Sequence, residues 1–64
     1  MEKISLRAAR INANLPQKVA AKELGVSNKT LSNWENYKTF PKQPMIEKMC
    51  KLYGVTYDSL NFRG

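Results

Sequence analysis

The stretch Leu24-Gly25-Val26-Ser27 restricts this chain most, because it leaves only about three residues between two blocks of helical length. The block before it opens at Pro16, where a fixed φ suits a helix's first turn, and runs from Gln17 to Leu24. It stops at Gly25, a residue at ease in the left-handed C-terminal position. The block after it takes Ser27 as N-cap and continues to about Asn36. Helices joined this tightly must cross steeply. The crossing needs a small residue where the backbones approach, and Ala21 stands four before Gly25 to supply it. Val26 plugs the space beneath.

The remaining punctuation, Pro41, Pro44 and Gly54, cuts the chain into further short blocks. Ser5 caps a first helix to Ala13, with Leu6, Ala9 and Ala13 at helical spacing and Ile11 on the flank. A fourth runs from about Gln43 or Pro44 to Tyr53, with Ile46, Met49, Cys50 and Tyr53 as its apolar stripe. A short fifth is capped by Thr56 and turns Leu60 and Tyr57 inward. Nowhere do Val, Ile, Thr and aromatics alternate over a useful length, so strand signals are weak. The sequence predicts an all-α fold, a compact bundle of five short helices in a single domain over residues 1–64.

Charge and composition narrow the function. Eleven Lys and Arg against five Asp and Glu give a net charge of +6 and a pI near 9.8. A small basic domain is drawn to polyanions, either nucleic acid or an anionic membrane surface. The basic residues scatter over several helices rather than one face, which disfavours a membrane peptide. No apolar run approaches the ~20 residues that span a bilayer, and Met1 to Arg7 carries no signal-peptide core. With no histidine and one cysteine, neither a zinc site nor an internal disulfide is available. The reading is therefore cytoplasmic, with no metal, no cofactor and no small-molecule substrate. Nor is an enzyme supported, since 64 residues leave no room for a deep cleft and no acid, base and nucleophile converge.

On a helical wheel, the block after Ser27 separates cleanly. Asn28, Lys29, Ser32, Asn33 and Asn36 fall within an arc of about 140°, with Leu31 and Trp34 opposite. Solvated helix faces usually favour Glu, Lys, Gln and Arg, which are better helix formers than Asn and Ser. Short amides and hydroxyls instead suit base edges: Asn pairs with adenine N6 and N7, Lys reaches guanine O6 and N7, and Ser serves either. The tight join and this face together make a helix-turn-helix whose second helix is fitted to the major groove.

The run Gln17-x3-Ala21-x3-Gly25-Val26-Ser27-x3-Leu31-Ser32-x-Trp34-Glu35, with Leu6, Arg10, Leu15, Pro41 and the ending Val55 to Leu60, resembles the phage repressor and Cro family, often called XRE-like. The resemblance spans about Leu6 to Leu60. It implies a Cro- or repressor-like transcription regulator, of phage or prophage type, that sets its third helix in the major groove of a palindromic double-stranded DNA operator. Carried onto matching positions, base contacts fall to Asn28, Lys29 and Asn33, with Ser27 and Ser32 nearby. Phosphate contacts fall to Gln17, Asn36, Lys38 and Lys42. Arg10 and Glu35 are the family's ion pair between helices one and three. The dimer contact falls near Val55, Tyr57, Leu60 and Phe62, predicting a weak homodimer that forms mainly on DNA. Two departures stand out. Pro16 removes the usual side-chain cap of helix two. Tyr37 replaces a usual Gly, which predicts that Asn36 takes the left-handed position itself.

Other residues have plainer readings. Trp34 belongs to the core rather than to base stacking, and Cys50 is a small hydrophobe. Met45 and Met49 pack, Lys48 and Lys51 solvate, and Arg63 lies in a frayed tail. A second function class, a protein-binding module such as an antirepressor or small phage factor, would use Tyr37, Phe40 and Pro41 as its patch. Repression and activation both stay open here, as do a complete Cro-like protein and the N-terminal domain of a longer one.

Overall fold

Every α-helix of the computed structural model, which describes residues 3–61, ends in the same closure. One residue turns left-handed, and the next amide reaches back to a carbonyl five positions earlier. The left-handed residues are Asn14, Gly25, Tyr37 and Gly54, with φ of 60°, 75°, 61° and 69°. The closing N–H groups are those of Leu15 to Arg10 (3.2 Å), Val26 to Ala21 (2.9 Å), Lys38 to Asn33 (2.9 Å) and Val55 to Cys50 (3.0 Å). Each satisfies a carbonyl that the helix end would otherwise strand.

These closures end α1 (Leu6–Asn12), α2 (Gln17–Leu24), α3 (Asn28–Glu35) and α4 (Gln43–Tyr53). Side chains start two of them: Ser5 Oγ accepts from the Ala8 N–H and Ser27 Oγ from the Thr30 N–H. At the start of α2, Pro16 supplies no side-chain cap, as its ring predicts.

The left-handed residue after α3 is Tyr37, not Asn36. Asn36 is held at φ −96° because its Nδ2 donates to the Ser32 carbonyl (2.9 Å) and hydroxyl (3.2 Å). The turn therefore falls one residue later, on a side chain for which left-handed backbone costs about 1–2 kcal/mol.

No fifth α-helix forms among the described residues. Tyr57–Ser59 makes a single 3₁₀ turn, closed by the Ser59 N–H to the Thr56 carbonyl at 3.1 Å. Thr56 gives it no side-chain cap; the Ser59 hydroxyl instead donates to the Thr56 carbonyl at 2.7 Å. The chain then extends as β2 (Leu60–Asn61), parallel to β1 (Ile4–Ser5), with Ile4 opposite Leu60 and Ser5 opposite Asn61. Extension carries Leu60 into the core, where it is 1% exposed. Expected at a dimer contact, Leu60 spends its side chain inside the molecule. Phe62 and Arg63 lie outside the described residues.

The core joins Leu6 and Ala9 of α1, Ala20, Ala21 and Leu24 of α2, Leu31 of α3, and Met49 and Tyr53 of α4 with Leu60. Ala20 and Ala21 are essentially fully buried, so α2 lies close against α3 and α4. Val26, Trp34, Met45 and Cys50 pack around this cluster half-buried. Among the described residues no helix is long and apolar enough to cross a membrane.

A Cβ added at Gly25 would meet nothing within 4 Å, so a substitution there is penalised by its φ alone. Gly25→Ala is therefore expected to cost about 1–2 kcal/mol in urea denaturation, with an unchanged m-value. A much larger loss would mean that the turn fails through a clash.

Candidate nucleic-acid interface

The tight α2–α3 join leaves one side of α3 outside the core. Leu31 is fully buried and Glu35 is 8% exposed on the inner side, while Asn28, Lys29 and Asn36 are exposed and Ser32 and Asn33 half-buried on the outer. The predicted polar face is thus the accessible one. Its members are not equivalent. The Ser27 hydroxyl accepts the Thr30 N–H (3.1 Å) and donates to Thr30 Oγ1 (2.9 Å), so it is engaged in capping. Asn36 and Ser32 bond to each other. Among the described residues, the side chains of Asn28, Lys29 and Asn33 make no intramolecular hydrogen bond, and they stand ready for an external partner.

Electrostatics point the same way. The one acid on α3 is Glu35, and it turns inward. Lys29 lies on the outer face, and Lys38 and Lys42 follow it, all exposed. Lys42 also stands at the N-cap position of α4 through its backbone.

Behind the face lies a buried ionic brace. Arg10 Nε donates to Glu35 Oε2 at 2.7 Å and Arg10 Nη2 to Glu35 Oε1 at 3.3 Å. The two side chains are only 10% and 3% exposed. Arg10 Nη1 donates to the Leu15 carbonyl at 2.7 Å, which ties in the α1–α2 loop. Gln17, the first residue of α2, adds its Nε2 to Glu35 Oε1 at 3.2 Å. One carboxylate at the end of α3 thereby holds α1 and the start of α2. The family resemblance supplied the Arg10–Glu35 pair. The Gln17 bond has no sequence signal, since 18 positions separate its partners.

Tyr53 was also not singled out for its hydroxyl. Its ring is in the core, and its Oη is a buried polar atom without a hydrogen-bond partner among the described residues. Burial pushes its pKa up to about 12; Glu35 adds to the rise and Arg10 opposes it. One turn earlier on α4, burial and then Glu47 raise the Cys50 thiol, in keeping with a packing role. Among the described residues no cluster of three or more His, Cys, Asp or Glu side chains could hold a metal ion.

The alternative protein-binding patch is rearranged. Pro41 is buried and Tyr37 half-buried, whereas Phe40 is 59% exposed. Phe40 and Pro41 still lie together, with Tyr57, Ile46 and Lys3, around a groove of about 360 Å³ that Tyr37 does not line.

The family described as helix-turn-helix matches residues 6–60. A curated relative, the HTH-type transcriptional activator BcrR of Enterococcus faecalis, is 34% identical over 55 residues. That match takes in 86% of this chain and 27% of the relative, so the chain spans about a quarter of the relative's length. No solved structure matches.

Two outcomes follow for the brace. Arg10→Met strands a buried carboxylate and is expected to cost about 3–5 kcal/mol, most of it recovered in Arg10→Met/Glu35→Leu, as thermal denaturation will show. For Tyr53, the unfolded hydroxyl ionises near pH 10 and the folded one near 12. The unfolded state therefore loses its proton first, and stability falls as pH rises from 10 to 12, by about 2–3 kcal/mol from this group. Tyr53→Phe is expected to be within about 1 kcal/mol of wild type at pH 7 and to remove that part of the alkaline loss. An alkaline profile identical in the two proteins would contradict the assignment.

Proposed function

The chain belongs to the helix-turn-helix family, and we propose that it is a DNA-binding transcription regulator that lays α3 in the major groove of a palindromic double-stranded operator. The observation that carries this is the outer face of α3: Asn28, Lys29 and Asn33 are accessible and unengaged, and the helix's one acid, Glu35, turns inward. Asn28 and Asn33 read base edges, Lys29 reaches guanine, and Ser27 and Ser32 line the approach. Lys38, Lys42, Gln17 and Asn36 lie toward the phosphates, where contacts set register without reading sequence. The uncapped start of α2 favours an anion there as well.

One recognition helix covers few base pairs, so two copies would bind half-sites about 34–36 Å apart. Val55 and Tyr57 supply the surface for that weak pairing, since Leu60 is in the core. The setting is cytoplasmic, where the DNA is. The relative's name assigns it activation, which leaves a repressor-only reading without support.

A protein-binding module is the second reading, favoured by the exposure of Phe40 beside Tyr57. Asn33→Ala separates the two. For a DNA reader it is expected to lower discrimination at one base position by about 1–3 kcal/mol, scored on duplexes selected from a random pool. The selected duplexes should show two-fold symmetry, with log affinity falling by about 0.9 per log unit of salt for each phosphate neutralised. Equal affinity for every duplex, or biological activity untouched by Asn33→Ala, would sink the operator reading.

A further inference from the structure

We propose that Asn36 is a positioning residue for base reading: its side-chain amide holds Ser32 Oγ as an acceptor, so that the Ser32 hydroxyl hydrogen is kept for an acceptor on a base edge. This rests on the DNA-binding reading of the preceding subsection. It gives Ser32 a direct contact and takes Asn36 out of the set that grips phosphates.

The carbonyl and the hydroxyl oxygen of Ser32 both meet Asn36 Nδ2, at 2.9 and 3.2 Å. A carbonyl only accepts, so the amide atom turned toward it is the nitrogen and not the oxygen. That nitrogen has two hydrogens, and it has two acceptors within reach, both on Ser32. What Asn36 has left is Oδ1, an acceptor. A phosphate oxygen is an acceptor too, so in this orientation the side chain has no donor to offer it.

Ser32 gains what Asn36 gives up. A hydroxyl has one hydrogen and two lone pairs, and the Asn36 nitrogen takes one lone pair. A serine inside a helix can turn its hydrogen back onto the carbonyl four residues earlier. Here that carbonyl belongs to Asn28, and the Ser32 hydroxyl donates neither to it nor to any other group among the described residues. The hydrogen is therefore unspent, on a half-buried side chain of the outer face, one turn from Asn28 and beside Asn33. The acceptors that suit it in the major groove are purine N7, guanine O6 and thymine O4.

The backbone shows what the arrangement costs. Asparagine tolerates left-handed φ better than tyrosine, yet Asn36 keeps φ −96° and Tyr37 takes 61°. Moving the left-handed turn onto Asn36 would swing its amide away from Ser32. The chain accepts a strained tyrosine and keeps the amide where it orients the hydroxyl.

The test uses the whole chain and a duplex selected from a random pool. Each base pair of the selected site is changed singly, and affinity is read by fluorescence anisotropy. Ser32→Ala is expected to lose about 2–10-fold in discrimination at one base pair and little elsewhere. Asn36→Ala should lose it at that same pair, and Ser32→Ala/Asn36→Ala no more than Ser32→Ala alone. A lowered melting temperature in Asn36→Ala with discrimination intact means a structural role only, and overturns the proposal. So does an Asn36→Ala protein that weakens on every duplex by one factor, the signature of a phosphate contact. Ser32→Ala that discriminates like wild type overturns the proposal and leaves the operator reading standing. Wild-type protein that selects no sequence overturns both. Should Asn36→Ala fail to fold, the Asn36 side-chain N–H signals of wild type decide the matter. Slow exchange with solvent that persists in the complex supports the proposal, and its loss on DNA binding overturns it.

Discussion

The Arg10–Glu35 pair is the constraint on which the rest of this small fold depends. Among the described residues it is the one place where charge enters the interior, and both side chains are at least nine-tenths buried. Burying two charges is costly, and the cost is offset only when geometry is good and the remaining lone pairs are satisfied. Here the satisfaction comes from three separate segments: α1 through Arg10, the α1–α2 loop through the Leu15 carbonyl, and the start of α2 through Gln17. An apolar pair would fill the space with less penalty. It would not specify where α1 and α2 meet the end of α3, because apolar packing has no preferred direction.

That directionality matters because α3 is short. Asn28–Glu35 spans eight residues, about two turns, and has only Leu31 fully in the core, with Trp34 half-buried beside it. Two apolar anchors on so short a helix fix its depth better than its rotation. Glu35 adds a third, directional anchor on the inner side, which holds Asn28, Lys29 and Asn33 outward. Tyr53 lies in the same electrostatic neighbourhood but contributes packing alone, its hydroxyl unmatched.

Much of this was legible in the sequence, for identifiable reasons. Helix ends announced themselves through local chemistry: Ser5 and Ser27 as caps, Gly25 and Gly54 as stops. The outer and inner faces of α3 followed from a period of 3.6 residues and simple polarity. What escaped depended on contacts distant in sequence or on competition between neighbours. The last segment reads as a helix locally, yet Leu60 gains more from extending into the core and pairing beside Ile4. Asn36 has the better intrinsic tolerance for left-handed backbone, but its amide is committed to Ser32, so Tyr37 takes the strain. Asn14, the fourth left-handed stop among the described residues, had the right side chain and was not singled out. The Gln17–Glu35 bond joins residues that no short window contains.

The central claim is that the outer face of α3 is the surface that meets DNA, held in place by charge buried on the inner one. Backbone amide shifts followed during titration with a selected duplex test it most directly. The account predicts the largest changes at Asn28, Lys29, Ser32 and Asn33, with smaller ones at Gln17 and Lys38. Changes centred on Phe40, Ile46 and Tyr57, with α3 silent, would contradict it.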